Sequence, residues 1–317
     1  MRLPHQQFAG PSSSQPISSS QYRGRFAPSP SGPLHFGSLV CAVASYLDAK
    51  ANQGQWLLRI DDIDPLREQP GASTLILFTL EKHGLVWDQS VIFQSHSYPR
   101  YAEILKILES QTLLYRCDCN RKKILEAGGY YDGHCRYRYL DRSPTAIRIN
   151  LERCFAQFPQ LTNPINFMDR IQGIQLQDIM ISGDFILHRK DGLYAYHLAS
   201  VVDDITENIN QVVRGTDLLP TTANQILLYT VLGHNVPQYC HIPVLVNADG
   251  VKLSKQNHAQ AVDDSKPSQN IHQALDLLGL HPPQELQNAP PQVQLSWGIE
   301  NWQLDKIQKR DSITVSE

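Results

Sequence analysis

The sequence predicts an α/β fold organised around a strand–loop–helix–strand unit near its start. Three observations carry that expectation. Tyr22–Ala27 is a short strand-like run, and Leu39–Lys50 contains neither proline nor glycine and reads as a helix. Trp56–Ile60 is an apolar run that reads as a buried strand, as does His241–Asn247 far along the chain.

The chain has 317 residues, enough for a substantial core and two domains. Its 41% hydrophobic and 19% charged content is ordinary globular composition, and no apolar run approaches a membrane span. A formal charge of −3 does not announce a nucleic-acid binder, although a local basic patch would suffice. The six cysteines come without an apolar leader, which predicts a cytoplasmic protein whose clustered thiols hold metal rather than disulfides.

Residues 1–21, rich in Ser, Gln and Pro, are expected to form a flexible tail. The loop Arg25–Ser38 then places three prolines and two glycines ahead of the helix. Unpartnered N–H groups and the helix dipole make such a junction favourable for anions. Gly37 permits close approach, His35 can donate to a phosphate oxygen, and a nucleotide phosphate is the natural guest. The pattern is neither GxGxxG nor a Walker loop. From Pro28 to Ser38 it resembles the HIGH signature of class I aminoacyl-tRNA synthetases of the glutamyl/glutaminyl subclass, with Ser38 replacing the second histidine.

After the turn at Gly54, the strand Trp56–Ile60 ends in Asp61-Asp-Ile-Asp64-Pro65. Ligands of open α/β sheets gather at the carboxyl ends of strands, so Asp61 suits a substrate ammonium or hydroxyl. Asp64-Pro65 reads instead as a helix cap and start. The subclass commonly has Glu at the first position, and the resemblance implies that Asp61 holds the substrate amino group. Residues 70–115 read as mainly helical, broken around 84–99, with Leu75, Leu77, Phe78, Leu80, Tyr101, Ile104, Leu105 and Leu108 as core.

Cys117-Asp-Cys119, with Cys135 further on, makes a plausible three-thiolate Zn²⁺ site. Tyr131, Asp132 and His134 are the local candidates for a fourth ligand, and chemistry alone favours His134. The spacing Cys-x-Cys, eleven residues, Tyr, three residues, Cys resembles the zinc site of glutamyl-Q tRNA(Asp) synthetases. That resemblance implies Cys117, Cys119, Tyr131 and Cys135, a closed and therefore structural set. Around it lies a basic aromatic run, Arg121, Lys122, Lys123, Arg136, Tyr137, Arg138, Tyr139 and Arg142, suited to an RNA backbone.

Residues 184–217 resemble the second half of the same catalytic domain, with Tyr196 and Arg214 at its glutamate-binding positions. Glutamate carries two carboxylates and one ammonium. Arg25 and Arg214 can each clamp a carboxylate, Tyr196 adds a hydroxyl, and Asp61 answers the ammonium. Ala27 and Ser29 of the first motif complete that set. Lys252-Leu253-Ser254-Lys255 resembles KMSKS, a lysine-rich loop that covers a triphosphate and neutralises departing pyrophosphate. The ATP set is thus Pro28, His35, Gly37, Ser38, Lys252, Leu253, Ser254 and Lys255, with His35, Lys252 and Lys255 catalytic.

The expected architecture is a class I aminoacyl-tRNA synthetase Rossmann-like catalytic domain in halves 22–98 and 184–260. Residues 99–183 form an inserted zinc-binding subdomain, and residues 261–317 a short helical C-terminal part in place of a large anticodon-binding region. The resemblance implies Mg²⁺-ATP activation of L-glutamate and its transfer to queuosine in tRNA(Asp), by a monomer. A minimal synthetase charging a tRNA 3′ end, or a non-enzymatic zinc and RNA-binding protein, are the competing readings.

Overall fold

Arg23–Phe26 (β1) and Gln55–Ile60 (β2) pair in parallel and are joined by the helix Phe36–Ala51 (α1). Ala72–Lys82 (α2) carries the chain to Ile92–Phe93 (β3), parallel on the far side of β2. These assignments come from a computed structural model that describes residues 21–126, 128–140, 144–253 and 260–315. Residues 1–20 of the tail expected over 1–21, with Arg142, Ser254 and Lys255, lie outside the described residues.

Tyr98–Ser110 (α3) leads to Leu114–Cys117 (β4), Arg121–Glu126 (α4), Ala146–Ile149 (β5) and Leu151–Gln157 (α5). A hairpin of Ile165–Asp169 (β6) and Gly173–Gln177 (β7), the turn of helix Ile179–Ser182 (α6) and Ile186–His188 (β8) follow. Next come Tyr196–Thr206 (α7), Gln211–Gly215 (β9), Thr222–Val231 (α8), Gln238–Ile242 (β10) and Val244–Val246 (β11). Pro267–Leu277 (α9), Pro291–Glu300 (α10) and Ser312–Thr314 (β12) complete the chain.

β9 pairs in parallel with β10, and β10 with β6. β1 lies beside β9, where Asn210 N–H donates to the Arg23 carbonyl (3.0 Å) and Arg23 N–H to Asn210 Oδ1 (2.8 Å). The layer therefore runs β3–β2–β1–β9–β10–β6–β7, with the two halves of the catalytic unit meeting at β1 and β9. Alternation along β2 divides the core. Trp56, Leu58 and Ile60 face α1, α9 and α10, while Leu57 faces α3, α7 and α8. Arg59 lies on the Leu57 side of the pleat and is fully buried.

Several expectations change. Leu75 and Phe78 are 49% and 45% exposed, because α2 lies on the surface and buries only the stripe through Ile76 and Leu80. Asp64-Pro65 starts a turn, and α2 begins seven residues after Pro65, at Ala72, capped by Gly71. The strand pairing crosses the 183/184 boundary in both directions: β6 and β7 extend the catalytic layer, whereas β8 pairs antiparallel with β5 in the insert. The C-terminal part is not only helical, since β12 pairs with β11, and its helices pack into the α1 core through Ile271, Leu275 and Leu295.

Candidate active site

The loop after β1, the carboxyl end of β2 and the start of α7 enclose a cavity of about 190 Å³. Ser29, Asp61, Asp64, Arg189, Tyr194 and Tyr196 are among its lining residues, so three members of the expected glutamate set share one wall. Pro28 holds the loop to the strand end, its carbonyl accepting from Asp61 N–H at 3.0 Å. Asp64, read from sequence as a cap, instead pairs with Arg67 (2.9 Å) and Arg189 (3.1 Å) at the cavity mouth.

Behind Asp61 lies a buried ionic cluster. Arg59 donates to Asp61 (2.8 Å) and Asp204 (2.6 Å), with Glu207 at 3.6 Å and Asp203 at 4.0 Å. Arg25 points Nε at Asp204 (3.2 Å), while its Nη atoms carry no hydrogen bond among the described residues. Burial pushes Asp61 up to about 6 against the pull of Arg59, and Glu207 up to about 8. Glu207 is therefore largely protonated at neutral pH.

The linkage sign follows from that raised value. A carboxyl held neutral in the folded state contributes stability below its unfolded pKa and loses it as pH rises through about 8. Glu207→Gln should flatten the decline in denaturation midpoint between neutral pH and pH 9, a gain on the order of 1 kcal/mol at the alkaline end. Urea titrations at several pH values read this, and an unchanged slope would refute a neutral Glu207.

Arg214, on β9, differs from Arg25 and Arg59. It is 4% exposed, yet it has no carboxylate within 4.0 Å among the described residues. Its Nη1 donates to Gln225 (2.7 Å) and approaches the Tyr196 hydroxyl (3.4 Å), Nη2 donates to Thr222 (2.9 Å), and Nε donates to His241 Nε2 (2.9 Å). A buried guanidinium with only neutral partners, next to a cavity wall, favours an incoming anion.

The chain on the far side of the second motif returns to the first. His35 caps α1, and Gly37 leaves room for its ring, which lies 3.2 Å from an ideal Cβ at that position. The ring accepts from Ser38 N–H at Nδ1 (3.2 Å), and Nε2 lies 2.9 Å from Ser38 Oγ. The amides of Ser38 and Leu39 are already bonded to the His35 carbonyl, so a phosphate would meet the ring and hydroxyl rather than those N–H groups. Past the undescribed stretch, Val262 N–H donates to the Leu34 carbonyl (2.8 Å) and Ala261 bridges His35. Before it, Leu253 N–H donates to Leu245 (2.8 Å), and Lys252 pairs with Asp217 (2.6 Å). Lys252 and Leu253 are thereby held beside β11, and residues 261–262 beside the first motif.

In the insert, the sulfur atoms of Cys117, Cys119 and Cys135 lie within 4.8 Å of one another. The Tyr131 hydroxyl accepts from Cys135 N–H (3.1 Å) and contacts Cys117, whereas His134 is exposed. The structure therefore sets Tyr131, not His134, against the thiols. Gly183 makes this possible: at φ +74° it brings the Tyr131 carbonyl within 2.0 Å of where a Cβ would stand. Arg148 lies over the Tyr131 ring at 3.8 Å and leaves its Nε unbonded among the described residues; against the rise that burial imposes, the Tyr131 hydroxyl and then Arg148 hold the Cys117 thiol below its ordinary range. Clustered thiols beside a cation fit a thiolate-bound divalent metal. Much of the basic run is used internally. Arg136 pairs with buried Asp184 and with Glu152, and Arg138 with Asp118, while Arg121, Lys122, Lys123 and Tyr139 stay exposed.

Fold and motifs together define a class I aminoacyl-tRNA synthetase core, and residues 21–290 match the family model "tRNA synthetases class I (E and Q), catalytic domain". Glutamyl-Q tRNA(Asp) synthetase of Serratia proteamaculans is 46% identical over 94% of this chain and 95% of its own length. The Escherichia coli protein of that name is 44% identical over 92% of each. A glutamate tRNA ligase from Elizabethkingia meningosepticum, crystallised with its amino acid, aligns with a TM-score of 0.75 at 25% identity, over 92% of this chain and 67% of that one. The chain belongs to the glutamyl-Q tRNA(Asp) synthetase family.

Arg59, Gln94, Asp203, Asp204, Glu207 and His241 are site or support residues that motif reading misses. A signal existed for some of them. A lone arginine within the apolar run Trp56–Ile60, and paired acids at the end of the apolar Leu198–Val202, both require buried partners.

Proposed function

We propose that this chain activates L-glutamate with Mg²⁺-ATP as glutamyl-adenylate and passes the glutamyl group to queuosine in the anticodon of tRNA(Asp). The observation that carries this reading is the charge pattern of the cleft. Asp61 stands on the wall as the acid for an ammonium, and the buried Arg214, beside Tyr196, has no carboxylate partner among the described residues. Arg25, whose Nη atoms carry no hydrogen bond among the described residues, supplies the second clamp, and Ala27 and Ser29 shape the loop between. A zwitterion with an extra carboxylate matches that set in number and sign.

The substrate carboxylate is already ionised and attacks the α-phosphorus without a general base, and pyrophosphate leaves with the electron pair of the broken P–O bond. Catalysis then consists of alignment and charge stabilisation. His35 and Ser38 face the phosphates. Lys252, released from Asp217, joins Lys255 over the leaving group. In the second step a queuosine cyclopentene-diol hydroxyl attacks the acyl carbon, the bond from that carbon to the phosphate oxygen breaks, and AMP departs with its electron pair while the hydroxyl proton passes to water.

A zinc ion held by Cys117, Cys119, Tyr131 and Cys135 would cross-link β4 to the 131–135 loop and contribute folding free energy to the insert. Cys135→Ser should lower bound zinc well below one per chain and cost about 2–4 kcal/mol of stability, while glutamate-dependent ATP–pyrophosphate exchange survives in the folded fraction. Elemental analysis beside thermal melts checks this, and full zinc occupancy in that variant would exclude the site.

The decisive experiment supplies labelled glutamate and ATP with tRNA(Asp) that carries or lacks queuosine. Label confined to the queuosine form, and mapped by nuclease to the anticodon fragment, supports the proposal. Label on the 3′ end of a tRNA would make the chain a minimal synthetase. Absence of both label and adenylate would leave a binding protein.

A further inference from the structure

Arg214 cannot hold a ligand carboxylate in register unless its own guanidinium is fixed, and the chain behind it is specific. Asp169, at the end of β6, is 1% exposed, and His241, on β10, is fully buried. Asp169 Oδ2 lies 2.6 Å from His241 Nδ1, and His241 Nε2 lies 2.9 Å from Arg214 Nε. An arginine Nε can only donate. His241 must therefore accept at Nε2 and carry its proton on Nδ1, which it gives to Asp169. A protonated ring would set two donors against each other at Arg214. Burial and the adjacent guanidinium hold His241 below the ordinary imidazole range, in keeping with the neutral form.

We propose that Asp169 and His241 form a positioning dyad that selects the Nδ1–H tautomer and thereby orients Arg214 toward the glutamate carboxylate. The inference rests on the reading of Arg214 as a carboxylate clamp. Asp169 Oδ1 accepts the amides of Ile171 (3.0 Å) and Gln172 (2.8 Å), and it shares the His241 amide with Oδ2 (3.2 Å to each). Asparagine at 169 can keep those three bonds on its oxygen, which fixes its NH₂ against His241 Nδ1. The imidazole then moves its proton to Nε2, where Nε2–H faces Arg214 Nε–H and turns instead to Thr222 Oγ1 (3.3 Å), breaking the Arg214 contact. One proton is relocated with little change in packing.

Asp169→Asn should raise the KM for glutamate roughly ten- to a hundredfold in ATP–pyrophosphate exchange, leaving the KM for ATP and the thermal midpoint near those of the parent. Nitrogen NMR of labelled histidine should show His241 as Nδ1–H in the parent and Nε2–H in the variant. Glutamine at 241 reaches the Nε2 position and has no tautomer, so His241→Gln should keep a near-parent glutamate KM and abolish the effect of Asp169→Asn. His241→Asn reaches only the Nδ1 position and should raise the glutamate KM. This pair reads the same contact if Asp169→Asn does not fold. Arg214→Ala in the same assay separates the two ways of failing. A raised glutamate KM there, with a parental value in Asp169→Asn, overturns the dyad alone. An unchanged KM in Arg214→Ala removes the clamp and the dyad with it. An Nε2–H or charged His241 in the parent also overturns the dyad.

Discussion

Arg214→Ala should lower kcat/KM for glutamate in ATP–pyrophosphate exchange by roughly two to three orders of magnitude, with little change in the KM for ATP. The size follows from desolvation. The guanidinium is buried and bonded only to neutral groups, so a ligand carboxylate meets it with little water between. Removing it leaves Gln225 and Thr222 without a donor, and leaves any bound carboxylate without its cation. Arg214→Lys should recover only part of the loss, because one ammonium cannot serve Gln225, Thr222, His241 and a ligand together. A variant that binds glutamate as the parent does would sink the assignment of this cleft.

Arg59→Met should destabilise the fold by about 3–5 kcal/mol at neutral pH, the cost of removing one partner from a buried ionic cluster. Among the described residues, the four acids Asp61, Asp203, Asp204 and the largely neutral Glu207 then keep only Arg25, through Asp204, as an ion-pair partner. The pH dependence gives the test its sign. Protonation neutralises the unpaired acids, so the deficit relative to the parent should shrink as pH falls from 8 toward 5. Adding Glu207→Gln should recover part of it at pH 8. Equal urea midpoints for Arg59→Met and the parent would show that the cluster contributes nothing to stability.

The motif-bearing segments were legible because each is local in the chain. The proline-rich loop, the run without glycine or proline, and the close spacing of Cys117, Cys119 and Cys135 each constrain a few adjacent residues. Backbone propensity and capping act over just such distances. Leu75 and Phe78 misled for the complementary reason: apolar character is local, but burial depends on what packs above α2, and they are left exposed. The helix expected at Asp64-Pro65 also failed on a tertiary contact, since Arg189, 125 residues away, binds Asp64 at the cavity mouth.

The sequence alone determined the strand–loop–helix opening, the order of the two signature motifs and the candidate ligands of the insert. Which charges meet was decided only by the tertiary structure. Arg59 finds Asp204 across 145 residues, and His241 finds Asp169 across 72. The basic run looked like a ready-made RNA surface, yet Arg136 turns inward to Asp184, 48 residues on. The physical reason is that an apolar pattern specifies which face a segment buries, while a buried charge is tolerated only where a distant element supplies its counter-charge.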